Sequence, residues 1–252
     1  MALLNGKIIH PDEPLAAAVT EAIRSGELAE LTRLLRNNPD LASARIGDLD
    51  AASGCGLRSL LHVATDWPGH YPNVAATIAA LAEAGADVNA RFAGGAHTET
   101  PLHWAASSND VAALDALIDA GADIEADGGV IGGGTPLADA RAFRQLEAAF
   151  RLVERGARTT LNDAATLGLL DRIESFFAGG NQPSEAEVTL AFWGACHGGR
   201  LPCASYLLER GADLNWIPPW EKLTPLDAAR RSGSEELADW LQSLGAKTAG
   251  RT

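Results

Sequence analysis

The chain is 252 residues long, 46% hydrophobic and acidic, with 20 Lys and Arg against 33 Asp and Glu and a formal net charge of −13. That length and apolar content suffice for a substantial core. The acidic balance argues against nucleic acid or an anionic membrane as the main partner, because both are bound through clustered lysine and arginine.

In chain order the first signal is Val19 to Leu35, which reads as two helices broken at Ser25-Gly26, with the charged outer residues of a capping unit. Ser59-Leu60-Leu61-His62-Val63-Ala64 leads to Gly85-Ala86-Asp87 over 26 residues, with the turn-rich Pro68-Gly69-His70-Tyr71-Pro72 between two helices. Thr100-Pro101-Leu102-His103-Trp104-Ala105-Ala106 then precedes Gly121-Ala122-Asp123, and Thr135-Pro136-Leu137 precedes Gly156-Ala157. Thr159-Thr160-Leu161 leads to Gly180, Leu190 to Gly211, and Thr224-Pro225-Leu226-Asp227-Ala228-Ala229 to Gly245-Ala246. In the last five of these units the first and last signals lie 21 residues apart.

A constant spacing between the same signals marks a repeated supersecondary unit. Threonine caps the first helix, and proline suits its first position because no amide donor is needed there. Glycine ends the second helix, where a left-handed backbone costs it little. The pattern predicts seven helix pairs, each burying its apolar face against its neighbours. Their shared core is expected from Leu102, Leu114, Leu117, Leu137, Leu161, Phe176, Leu207, Leu208, Leu226 and Leu241.

The Thr-Pro-Leu-His phrase, with its trailing Gly-Ala-Asp, resembles the ankyrin repeat, and the resemblance covers nearly the whole chain. It implies an all-α ankyrin-repeat solenoid of stacked helix pairs with short β-hairpin fingers. A single domain is expected over 1–252, with an N-terminal cap (1–50), central repeats (56–222) and a C-terminal cap (223–252). The fingers are uneven: Gly85 to Thr100 is 15 residues, Gly121 to Thr135 is 14, Gly211 to Thr224 is 13, and Gly156 to Thr159 only three. The finger from Asp127 to Gly134 is glycine-rich but lacks the strand-to-helix context of a nucleotide loop, so flexibility or close approach explains it better.

The resemblance also sorts the residues by direction. His62 and His103 take a structural place, tying loop to helix between repeats. Val63 and Trp104 take an inward, core position. Asp139 falls at that same apolar position and needs a partner, for which Arg141 and Arg144 are near in sequence. Trp193 stands in the structural-histidine position. The groove-facing positions hold Asp66 and Trp67, Ser107 and Ser108, Ala142 and Phe143, Thr166 and Leu167, and His197 and Gly198, with Arg24 and Ser25 in the cap. The hairpins add His97, Glu99, Trp220 and Glu221, with Trp216 nearby and His70 on the adjacent insertion.

Binding is therefore expected at Trp67, His70, Ser107, Ser108, Phe143, His197, Trp216 and Trp220, because aromatic side chains supply large contact area at low entropic cost. The first functional reading is an interaction module that takes a protein or peptide segment, or a small molecule, in its groove. The alternative is a small-molecule enzyme performing hydrolysis or proton transfer with His97, Glu99 and Asp66 as acid–base residues. Ser107 would then donate a hydrogen bond to substrate. No Gly-x-Ser-x-Gly or His-Glu-x-x-His motif supports the second reading.

No metal or cofactor is expected. Cys55, Cys196 and Cys203 are odd in number and form no Cys-x-x-Cys pair, as suits small buried thiols in a reducing compartment. No segment is apolar for long enough to span a bilayer, and Met1 to His10 lacks the marks of a secretory signal, so a cytoplasmic location is expected.

Overall fold

The structure, a computed structural model, describes residues 6–48, 56–180 and 182–250. Among the described residues the chain forms fourteen α-helices, and its named strands are three two-residue pieces. It divides into two compact units, 1–157 and 158–252. The division falls at the three-residue connection where the sequence lacks a finger.

The first unit runs β1 (Ile8–Ile9), α1 (Pro14–Ser25), α2 (Leu28–Asn37), β2 (Arg45–Ile46), β3 (Arg58–Ser59), α3 (Leu60–Thr65) and α4 (Val74–Glu83). It continues with α5 (Pro101–Ser107), α6 (Val111–Asp119), α7 (Pro136–Ala142) and α8 (Leu146–Glu154). β1 lies parallel to β2, and β2 antiparallel to β3. First helices pack in succession, α1 on α3, α3 on α5 and α5 on α7, while α2, α4, α6 and α8 form the second row. Leu102, Leu114, Leu117 and Leu137 are completely buried between them.

The second unit runs α9 (Leu161–Leu167), α10 (Leu170–Ala178), α11 (Glu185–Gly198), α12 (Leu201–Leu208), α13 (Pro225–Ser232) and α14 (Glu235–Ser243). α11 packs against both α9 and α13. Its core gathers Leu161, Ile173, Phe192, Leu207, Leu226 and Leu241, with Phe176 and Leu208 half-buried at its margin.

Local chemistry explains the helix starts. The side chains of Ser59, Thr135, Thr160, Ser184 and Thr224 each accept an amide hydrogen from the first turn of the helix they precede. Such a cap satisfies one of the donors that a helix leaves unpaired. The glycines that close the regular units, Gly85, Gly121, Gly156, Gly211 and Gly245, all have positive φ.

Two units depart from the even ruler. In the fifth, Thr160 rather than Thr159 caps α9, with Asp163 completing a reciprocal box. α10 then ends at Ala178 beside an extended Gly179, so Gly180 does not close the unit as the other glycines do. In the sixth, α11 starts at Glu185, well before Leu190. Leu190 has no oxygen with which to cap a helix, whereas Ser184 and Glu187 satisfy each other's amides.

Several directions expected from the sequence are confirmed by contacts. His62 and His103 are buried, and each spans two repeats. The Nδ1 of His103 accepts from the Thr100 amide at 3.1 Å, which leaves its Nε2 to donate to the Gly134 carbonyl at 3.1 Å. His62 repeats the arrangement with Ser59 and with the Glu99 carbonyl, at 3.3 and 3.1 Å. Desolvation holds both rings neutral, with pKa values lowered to about 3 for His62 and about 4 for His103. Cys196 and Cys203 are buried free thiols, and burial raises both pKa values. Cys55 lies outside the described residues.

Asp139 is buried as expected, but the identified partner differs. Its carboxylate accepts from the backbone amide of Ile131 at 3.1 Å, beneath the glycine-rich finger, rather than resting on an arginine for its place. The finger bends tightly over it, through Gly128 N–H to the Gly133 carbonyl and Gly129 N–H to the Gly134 carbonyl, both 2.9 Å. A Cβ on Gly129 would lie 2.6 Å from the Asp139 carboxylate, so the glycine there permits close approach. Burial pushes the Asp139 pKa up to about 6, against the lowering effect of the Ile131 amide.

Candidate functional site

The first unit carries a pocket of about 500 Å³ built from successive repeats. Asp66 and Trp67 come from the end of α3, and Glu99 from the finger just before the Thr100 cap. Trp104, Ser107 and Ser108 come from α5 and its end, Phe143 and Gln145 from the turn between α7 and α8, and Val130 from the glycine-rich finger. Five of the expected site residues and two of the three expected acid–base residues therefore lie in or around one cavity: Trp67, Ser107, Ser108 and Phe143 with Asp66 and Glu99, while His70 borders it through Ser108.

The geometry gives each a definite role. Trp67 is 79% exposed and Phe143 46% exposed, although both are large apolar side chains. Trp104, expected in the core, is only half-buried and walls the pocket. Its ring stands edge-on to His62 with centroids 4.8 Å apart and leans on Phe92 at 5.7 Å. Glu99 is half-buried, and desolvation raises its pKa, while the Trp104 side chain and the charge of His97 act to lower it.

Asp66 faces away from acid–base work. Its Oδ2 accepts from Arg24 at 3.0 Å and from Arg58 at 2.9 Å, so the capping repeat clamps it from one side and β3 from the other. His97 interacts electrostatically with Glu99 and Asp139 but is not among the residues lining the pocket. Of the expected triad, His97 and Glu99 are therefore coupled to each other, while Asp66 is paired with arginines instead.

Two polar residues are also spoken for. Ser107 was expected to donate to a ligand, but its hydroxyl donates back along α5 to the His103 carbonyl at 2.9 Å. The ring of His70 is held by the Ser108 carbonyl at 3.1 Å, and its amide donates to Asp110 at 2.6 Å. His70 therefore fastens the insertion onto the next repeat instead of pointing into the pocket.

The second unit presents a separate aromatic cluster. Trp220 is 63% exposed and meets Trp193 and Trp216 edge-on, at 6.4 and 5.8 Å. His197, expected to face the groove, is instead 6% exposed, stacked on Trp193 at 5.3 Å and touched by Arg231 at 3.0 Å. Thr166 and Leu167 are buried as well. α11 lies so close to α9 that a Cβ on Gly198 would sit 2.0 Å from the Thr166 carbonyl oxygen, which explains why these positions are covered.

Val130 and Gln145 are the lining residues that sequence reasoning did not find. Gln145 donates to the Ser107 carbonyl at 3.0 Å, bridging the ends of two repeats. Nothing in the repeat phrase marks either residue, because both lie in connections that vary from unit to unit.

Comparison with known proteins agrees with this architecture. Residues 61–163 match the family described as ankyrin repeats, in three copies. Among solved structures, the ankyrin repeat domain of human ASB11 is similar to this chain at 21% identity and a TM-score of 0.51, over 91% of this chain and 97% of that one. At that identity the likeness concerns the fold alone. No curated protein matches. Residues 61–163 are ankyrin repeats, and the chain's fold is that of ankyrin-repeat domains, a fold that generally serves as a protein-interaction module. No helix among the described residues is long and apolar enough to cross a membrane.

Proposed function

We propose that the first unit seats a segment of a partner protein in the pocket between α3, α5 and α7. The observation that carries this reading is the pair of exposed aromatic side chains, Trp67 and Phe143, that line it together with the half-buried Trp104. Exposed large apolar groups around a concavity mark interaction surfaces, and aromatic anchors that become desolvated on binding commonly dominate interface energetics.

The polar frame supports the same conclusion. Asp66 is fixed by two arginines and Gln145 by a backbone carbonyl, so the pocket's shape is largely set before a partner arrives. A preformed site spends less free energy on ordering when it binds. The aromatic cluster of Trp216 and Trp220 in the second unit is a further contact surface under this proposal.

Selection of peptides from a random display library on the full chain tests it. Enriched peptides should lose at least about tenfold in affinity to the Trp67→Ala and Phe143→Ala variants. Enriched peptides that bind both variants as well as the parent would place the interaction elsewhere.

A further inference from the structure

We infer that the pocket of the first unit is a specificity pocket for a basic side chain, the ammonium of a lysine or the guanidinium of an arginine in the bound segment. This deepens the proposed function and rests on it. The argument is one of chemical complementarity. Three aromatic rings, Trp67, Trp104 and Phe143, line the same pocket as two carboxylates, Glu99 and Asp66. Aromatic faces attract a cation through the ring quadrupole, most strongly where water is excluded. A carboxylate in such a pocket supplies the ionic partner.

The two carboxylates differ in what they still have to offer. Asp66 already carries two arginines on one oxygen. Glu99 is half-buried, the Trp104 side chain and the charge of His97 act on it, and the charge of Asp139 is near enough to couple to it. An arriving cation would relieve the cost of keeping the Glu99 charge partly desolvated and screen it from Asp139. An anionic group beside Glu99 would add a like charge, and a neutral aliphatic side chain would leave Glu99 without compensation.

The geometry also favours a side chain on an extended segment over a free small cation. Trp67 and Phe143 line the pocket yet stay exposed, so apolar surface remains beside it that a free small cation would not cover. Gln145 and Ser108 also line the pocket, so polar groups stand among the aromatic rings.

The test uses the peptides enriched by display on the full chain. Those whose binding falls with Trp67→Ala and Phe143→Ala should carry Lys or Arg at one fixed position. Replacing that residue by citrulline or norleucine should weaken binding at least about tenfold. Glu99→Gln, which keeps the shape and an acceptor for Trp104 but removes the charge, should cause a similar loss. The two changes together should cost little more than either alone, because they remove the same interaction. Peptides that need Trp67 and Phe143 but have no fixed basic residue, or that tolerate citrulline and Glu99→Gln, would overturn the inference and leave the proposed function standing. Peptides indifferent to Trp67 and Phe143 would overturn both.

Discussion

The indole of Trp193 donates a hydrogen bond to the carbonyl of Leu223 at 2.9 Å, the residue just before the Thr224 cap. His62 and His103 make the same bond to Glu99 and Gly134, which stand just before Thr100 and Thr135. A tryptophan has therefore taken over the work of the repeat's histidine. It can do so because the bond across the repeat interface needs only an N–H, which indole has, while the cap amide that a histidine Nδ1 would accept from is met here by Glu187 on Ser184.

Trp193→Phe keeps an aromatic ring and removes the donor. Leaving the Leu223 carbonyl without its partner and shrinking the ring should cost about 1–3 kcal/mol. Urea denaturation followed by circular dichroism measures the loss. An unchanged midpoint would mean that water satisfies that carbonyl.

Two of the pocket aromatics should separate by stability. Trp67→Ala removes a side chain that is 79% exposed and should leave the melting temperature unchanged. Trp104→Ala removes a ring packed on His62 and Phe92 and should cost about 1–3 kcal/mol, less than a fully buried tryptophan. Thermal melts that rank the two variants the other way round would contradict the assigned directions.

Stability should fall as the solution is acidified. His62 and His103 have folded-state pKa values of about 3 and about 4, below the ordinary histidine value of 6.5. Below that ordinary value the unfolded chain takes up protons that the folded chain refuses. Their stabilisation is therefore complete above about pH 6.5 and is lost as pH falls towards 4, with a slope of up to about 1.4 kcal/mol per pH unit for each ring. Asp139 works in the opposite sense: its folded pKa of about 6 exceeds the ordinary 3.8, so its contribution is present at low pH and disappears as pH rises through 6. Glu99, also raised, acts in the same direction as Asp139. The two histidines are shifted further and dominate. Asp139→Asn should steepen the acid loss, as read from denaturation midpoints between pH 4 and 7.

The glycine-rich finger gives a steric test. Gly129→Ala would drive a methyl group against the Asp139 carboxylate and the Gly134 carbonyl, at 2.6 and 2.9 Å. A Cβ on Gly121 would meet nothing within 4 Å, so Gly121→Ala should cost only about 1–2 kcal/mol for placing alanine at a positive φ. Gly129→Ala should be the more damaging change, and it should also disturb the pocket through Val130. Equal melting temperatures for the two variants would show that the finger yields.

Much of the fold was legible because repeats restate their signals. Thr100 and Gly121 revealed a helix pair that Thr135 and Gly156 repeat, and in these units and the last the caps and positive-φ glycines lie where that spacing put them. Legibility failed where a different residue could do the same physical job. Ser184 caps α11 ahead of the even ruler, and a backbone amide rather than a side chain meets Asp139. Trp67 and Phe143 were readable as surface aromatics from their place in the repeat. His197 was not readable as buried, because its burial depends on how closely α11 approaches its neighbours and on the ring of Trp193. The split of Asp66 from His97 depended on Arg24 and Arg58, two residues from other turns of the chain.

The six tryptophans provide six indole N–H signals, which allow the most direct test of the pocket's role. A display-selected peptide titrated into the full chain can be followed by two-dimensional nitrogen–proton NMR, with each indole assigned by substitution. The predicted result is saturable movement of the Trp67 and Trp104 signals at the same peptide concentrations, while Trp240 in α14 stays still. Binding that saturates with Trp67 and Trp104 unmoved would contradict the account.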